Sequence, residues 1–152
     1  MPIIKKPAYV RSRINIYDNV TIHGNAWITR DAWATENACI FGDARVSGDA
    51  GIFGNAWVFD SANVSGGARI YGYSWIYGNA HISGNVWIYG NADIYCDEHW
   101  LSVIIDGKVL TAYRSRCPQG YEINIDRENK TLGDVRHYLG QNLIARIESW
   151  KK

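Results

Sequence analysis

Four histidines, three cysteines and an unusual supply of aromatic rings are the side chains here that could do chemistry. His23 and His81 are the histidines that could act as a general base, a role that needs an imidazole held near neutral pKa beside a substrate proton. His81 and His99 stand eighteen residues apart with Asp97 close to the second. That is the pattern nearest to metal ligation, but no metal is expected, because the sequence loses its regular register at His99. Cys39, Cys96 and Cys117 are an odd, irregularly spaced set without a CxxC, so neither a disulfide framework nor a zinc ribbon is expected. No Ser-His-Asp arrangement, phosphate-cradling loop or carboxylate pair stands out. The remaining candidates are aromatic, and their chemistry is binding rather than catalysis.

The aromatic residues belong to a repeat. Sixteen hexads run without a gap from Ile4 to His99, with aliphatic anchors at Ile4, Val10, Ile16, Ile22 and every sixth residue onward to Ile94. Ala34 is the one exception. Four places after most anchors comes a small residue such as Ala26, Ala56, Ser74 or Ala92, and between the two a turn pair such as Gly24-Asn25 or Gly54-Asn55. In a strand, alternate side chains share a side, so the triplet Ala26-Trp27-Ile28 places Ala and Ile inward and Trp outward. A strict short repeat specifies a solenoid. From residue 41 onward the residue after each anchor reads Phe41, Ser47, Phe53, Phe59, Ser65, Tyr71, Tyr77, Ser83, Tyr89, Tyr95, a second period of eighteen. A coil with three short sides produces that period. The fold expected is an all-β, three-sided parallel β-helix of about five coils over residues 4–95.

Sorting outward positions by side gives two aromatic faces and one polar one. Face one carries His23, Phe41, Phe59, Tyr77 and Tyr95, flanked by Trp57 and Trp75; face two carries Tyr17, Phe53, Tyr71 and Tyr89, flanked by Trp33 and Trp87. Face three presents Thr29, Ser47, Ser65 and Ser83. Contiguous exposed aromatics mark contact or ligand surfaces. A homo-oligomer is therefore expected, a trimer first and a dimer second.

Residues 96–152 read as a small cap. Leu101–Asp106 and Lys108–Arg114 form a hairpin about Asp106-Gly107, Tyr121–Asp126 is a third strand, and 127–130 is a polar loop. Thr131 with Asp134 signals a helix start. Leu132, Val135, Leu139, Leu143, Ile147 and Trp150 give one helical stripe with Gly140 as its break point. The chain has 152 residues and a net charge of +1; its basic residues cluster at the ends (Lys5, Lys6, Arg11, Arg13 and Arg114, Arg116, Arg127) among acids. A nucleic-acid footprint is not expected. Neither a transmembrane segment nor a signal peptide is read, so a cytoplasmic, reducing setting is expected.

The hexads resemble those of left-handed parallel β-helix proteins, the hexapeptide-repeat superfamily typified by bacterial acyltransferases. Parallel crossovers are ordinarily right-handed, so the left hand is implied by the resemblance alone. A closer likeness is to small bacterial and phage or prophage proteins with V-x-G-N-A-x repeats. It is carried by Ile3-Ile4-Lys5-Lys6-Pro7, by Leu110-Thr111-Ala112-Tyr113-Arg114 and by Thr131-Leu132. The superfamily's enzymes use a histidine base at a subunit interface, often an extruded loop, and a groove for coenzyme A; its carbonic anhydrases bind metal through histidines of two subunits. Here no loop interrupts the hexads, and Gly stands two places after the anchor rather than directly after it. The reading favoured is a non-catalytic module that self-assembles and binds, in the manner of an accessory protein that blocks a host protein or sequesters a small, nucleotide-like signalling ligand. An acyltransferase using acetyl-CoA is one alternative, and a tail or filament component another.

Overall fold

The computed structural model describes residues 1–11 and 15–151, so Arg13 lies outside the described residues. A parallel β-solenoid of about five coils occupies residues 3–94. Each side of a coil contributes a strand of only two residues, the outward residue and its inward anchor, and each strand pairs with its counterpart one coil on. Face one stacks Ile3–Ile4, Thr21–Ile22, Cys39–Ile40, Trp57–Val58, Trp75–Ile76 and Asp93–Ile94. Face two stacks Asn15–Ile16, Trp33–Ala34, Gly51–Ile52, Arg69–Ile70 and Trp87–Ile88. Face three stacks Tyr9–Val10, Trp27–Ile28, Arg45–Val46, Asn63–Val64 and His81–Ile82. The register pairs residues eighteen apart throughout, as in Trp57 with Trp75 and Val58 with Ile76.

The interior is the reason for the repeat. From Val20 to Ile94 the anchors and their small partners are sealed from solvent and form one continuous core. A prism this narrow admits one branched aliphatic per side, and the alanines let the chain approach its corners. Main-chain bonds run from coil to coil even through the corners, as in Asn55 N to Gly72 O at 2.9 Å and Ser61 N to Gly78 O at 3.0 Å. From Asp18 to Gly90 the corner residue after each outward position adopts positive φ. Asp18, Glu36, Gly54, Gly72 and Gly90 form one such column. At Gly42 a Cβ would lie 2.9 Å from the main-chain nitrogen of Asp60, so the stacked corners have no room for a larger residue there.

The cap closes the C-terminal end. After a single 3₁₀ turn at Asp97–His99, strands Trp100–Ile105, Lys108–Arg114, Tyr121–Ile125 and Glu128–Lys130 form an antiparallel sheet. The expected polar loop at 127–130 is thus largely a fourth strand, paired with the third as Asn124 with Asn129. A tight turn with positive φ at both Asp126 and Arg127 makes that pairing possible. The single helical stripe is divided into α1 (Leu132–Val135), a 3₁₀ turn at Arg136–Tyr138, and α2 (Gln141–Glu148). Thr131 and Asp134 form a reciprocal capping box at the start of α1, and Gly140 takes extended geometry as the N-cap of α2. Among the described residues, no helix is long and apolar enough to cross a membrane.

Candidate functional site

Face one carries an unbroken vertical file of rings. His23 stacks on Phe41 at 5.0 Å between centroids, Phe41 on Phe59 at 4.9 Å and Phe59 on Tyr77 at 4.9 Å, the last two pairs within 4° of parallel. Tyr95 ends the file, tilted 43° from Tyr77 at 5.8 Å. The spacing follows from the rungs, which lie about 4.8 Å apart; identical backbone positions one coil apart hold like rings in offset stacks. Trp57 and Trp75 stack on each other alongside at 5.9 Å, and Trp57 meets Phe41 and Phe59 edge-on. The file is half-buried from His23 to Tyr77, and Tyr95 at its end is exposed. Trp57 at 42% and Trp75 at 39% are exposed and form its outer wall.

The cap clasps the upper end of this file. Tyr77 Oη donates to Asp93 Oδ1 at 2.9 Å, and Asp93 in turn meets Arg114 at 3.5 Å. Burial, reinforced by the Asp93 bond, pushes the Tyr77 phenol up to about 12. Arg114 lies 5.8 Å from the Tyr95 ring and Arg116 lies 4.1 Å from that of Trp75, both at cation–π distance.

Face two is built differently. Phe53 leaves the file and lies across Gly51, where a Cβ would sit 2.2 Å from its ring; the glycine is needed for that fold-over. Trp33, also exposed, therefore stands apart from the upper cluster. That cluster consists of Tyr71 stacked on Tyr89 at 5.1 Å, and Trp87 edge-on to Tyr71 at 5.9 Å. Arg127 of the cap covers Trp87 at 4.7 Å, and Tyr89 Oη donates to Asn129 Oδ1 at 2.6 Å. Burial likewise raises the Tyr89 phenol to about 12. A cleft of about 580 Å³ opens between this cluster and the corner column at Glu36.

Face three presents its hydroxyl residues with one aromatic contact, Tyr9 on Trp27 at 4.7 Å, with Arg45 at 6.0 Å from the indole. Tyr9 is eighteen residues before Trp27, so the period contained this pair although it was not singled out.

The histidines go to separate places. His23 is a member of the aromatic file. His81 Nδ1 lies 3.3 Å from Asn79 O, and the His81 main-chain N–H donates to Asp97 Oδ1 at 2.7 Å. His99 packs edge-on against Tyr95 at 4.1 Å, and burial, with the Arg114 charge, lowers its pKa. His99 meets Tyr95 because the 3₁₀ turn carries it out of the column above His81. Among the described residues, no group of three or more His, Cys, Asp or Glu side chains gathers where it could hold a metal ion.

Residues that the periodicity does not mark complete these faces: Arg114, Arg116 and Arg127 as cations over rings, and Glu36 at the cleft. Two of them carry a local signal: Arg127 is a long side chain in a tight-turn position that glycine usually fills, and Glu36 stands at a corner where most hexads place glycine. Comparison of the chain with protein-family models, with curated proteins and with solved structures finds no match.

Proposed function

We propose that this protein is a non-catalytic β-helix module that self-assembles through face one and acts by binding. The observation that carries it is the continuous ring file of face one, walled by exposed Trp57 and Trp75; face three also exposes rings, Tyr9 and Trp27, but as a single pair among hydroxyls rather than a file. Offset aromatic pairs are worth about 0.5–1.5 kcal/mol each beyond their buried area, which accounts for the ladder. It does not account for two indoles and Tyr95 left at the solvent edge of an otherwise half-buried row. Burying that wall against a second copy does. A closed trimer places three such faces about one axis, and a dimer places two face to face.

This reading includes a left-handed hexapeptide-repeat solenoid and an accessory role, of phage or prophage type, in blocking a host protein, both implied by the resemblance, together with the cytoplasmic setting expected from the sequence. Sedimentation of the wild type should give a discrete oligomer, and Trp57→Ala with Trp75→Ala should shift it to the monomer mass with the coil intact by circular dichroism. An unchanged mass would reduce face one to an intramolecular ladder. Heat on titration with acetyl-CoA that disappears in His23→Ala or His81→Ala would instead support an acyltransferase. Open-ended polymers would support a filament component.

A further inference from the structure

Face two holds features that self-assembly through face one leaves unused. The cleft of about 580 Å³ has Phe53, Tyr71 and Trp87 as flat walls, Glu36 and Arg127 as charged groups, and Asn55 between them. That volume is typical of small-molecule sites. Glu36 and Arg127 both hold positive φ, 62° and 72°, in positions where glycine is at ease. Arg30 shares that backbone at another corner, so strain alone decides nothing. What distinguishes this pair is that two opposite charges line one cleft and neither makes an ion pair among the described residues.

We propose that this cleft binds a purine nucleotide of the guanine type. A carboxylate only accepts hydrogen bonds, so Glu36 selects an edge with two adjacent N–H donors, as in guanine, over the mixed edge of adenine. Arg127 offers a planar fork of donors to a phosphate. Tyr89 stacks on one face of Tyr71 and Arg127 lies over Trp87, so a base stacks on the Tyr71 face turned away from Tyr89 and meets Trp87, which stands 88° to it, at its edge. Glu36 and the coil beneath Arg127 are three rungs apart, on the order of 14 Å along the axis. Inward-leaning side chains shorten that span to one that a nucleoside monophosphate bridges with a hydrogen bond at each end. Gly54 and Gly72 keep the corner between them free of side chains.

The inference rests on the protein being a binding module but not on its self-assembly. Calorimetric titration of the full chain with guanosine 5′-monophosphate should show saturable binding, about tenfold tighter than adenosine 5′-monophosphate or guanosine. Arg127→Gln should weaken the nucleotide about tenfold and leave guanosine unchanged, and Glu36→Gln should bring the guanine and adenine nucleotides to within about twofold. Trp33→Ala, on the same face but outside the cleft, should change neither. Repeating the titration on the Trp57→Ala, Trp75→Ala variant separates the readings: binding retained by a monomer supports the cleft independently. No heat, equal affinity for the adenine nucleotide, or indifference to both cleft variants would overturn the proposal.

Discussion

Solenoid and cap meet the same backbone requirement by different means. Inside the solenoid the main-chain N–H groups of the outward residues donate to carbonyls one coil on, as Trp57 N does to Ser74 O at 2.8 Å and Phe59 N to Ile76 O at 3.0 Å. The last coil has no such neighbour, and single side chains of the cap take its place. Asn124 Nδ2 donates to Trp87 O at 2.9 Å, Ser115 Oγ to Asn91 O at 3.2 Å and Arg116 Nη1 to Ala92 O at 3.0 Å. Tyr113 Oη accepts from Tyr89 N at 3.2 Å. At the other end Ile3 and Ile4 remain 51% and 47% exposed, and Lys5, Lys6 and Pro7 follow them. Repetition covers strand edges automatically; ending a repeat takes unique polar residues or a blunting composition.

The largest effect should come from within the repeat. Ile70 is wholly enclosed in the central coils, and Ile70→Ala should lower unfolding stability by about 2–5 kcal/mol in a urea titration. Each coil supports its neighbours, so the loss should also broaden the transition as the stack uncouples into two halves. A loss below about 1 kcal/mol would show that the prism wall collapses to refill the gap. In the cap, a single oxygen should matter almost as much. Tyr113 is fully buried where the two hydrophobic clusters meet. Tyr113→Phe keeps the ring and removes the acceptor of the Tyr89 N–H, a cost of about 1–3 kcal/mol. Amide exchange should then rise at Tyr89 and stay slow at Tyr71, whose N–H still bonds to Ile88 O.

What could be read from sequence divides along the same line. The eighteen-residue period places Phe41, Phe59 and Tyr77 in one file because every partner in a solenoid is a copy of the residue at a fixed offset. The hairpin at Asp106-Gly107 and the Thr131–Asp134 box were equally legible, since both are local. The fold-over of Phe53 was not: it depends on Gly51 lacking a side chain, which the period of the outward column does not report. Nor were the cap's arginines over rings, Arg114, Arg116 and Arg127, two of whose partners, Trp75 and Trp87, lie in the solenoid. Glu128–Lys130 read as loop because three polar residues carry no alternation, yet pairing with Tyr121–Ile125 makes them a strand.

A smaller, pH-dependent effect should also localise to the junction. Glu122 sits against Gly90, where a Cβ would lie 2.6 Å from its Oε2, and that oxygen is buried without a hydrogen-bond partner. Burial raises the Glu122 pKa above its ordinary 4.5, with Ser115, Tyr113 and the Arg116 charge acting against it. A carboxyl whose pKa is higher folded than unfolded favours folding while protonated. Its contribution is complete in acid below the ordinary value and is lost as pH rises through the folded value. Glu122→Gln should therefore gain on the wild type as pH is raised from about 4 toward 7. Parallel stability–pH curves for the two proteins would refute the assignment.

The two tight turns of the cap give the finest comparison. Asp106-Gly107 and Asp126-Arg127 share positive φ at both positions, 49° and 76° in the first and 49° and 72° in the second. They differ in what occupies the glycine place. Left-handed backbone costs an ordinary L-residue about 1–2 kcal/mol, glycine returns about 0.5–1 kcal/mol of that as chain entropy, and an exposed cation–π contact is worth about 0.5–1 kcal/mol. Arg127→Ala keeps the strain and loses the contact with Trp87, so it should destabilise by about 0.5–1 kcal/mol. Arg127→Gly loses the contact and relieves the strain, so it should come out near neutral. Gly107→Ala, which adds strain where no ring is covered, should cost about 1 kcal/mol. If thermal denaturation ranks Arg127→Gly below Arg127→Ala, the turn is not strained. Arg127 would then be held in place by Trp87 alone.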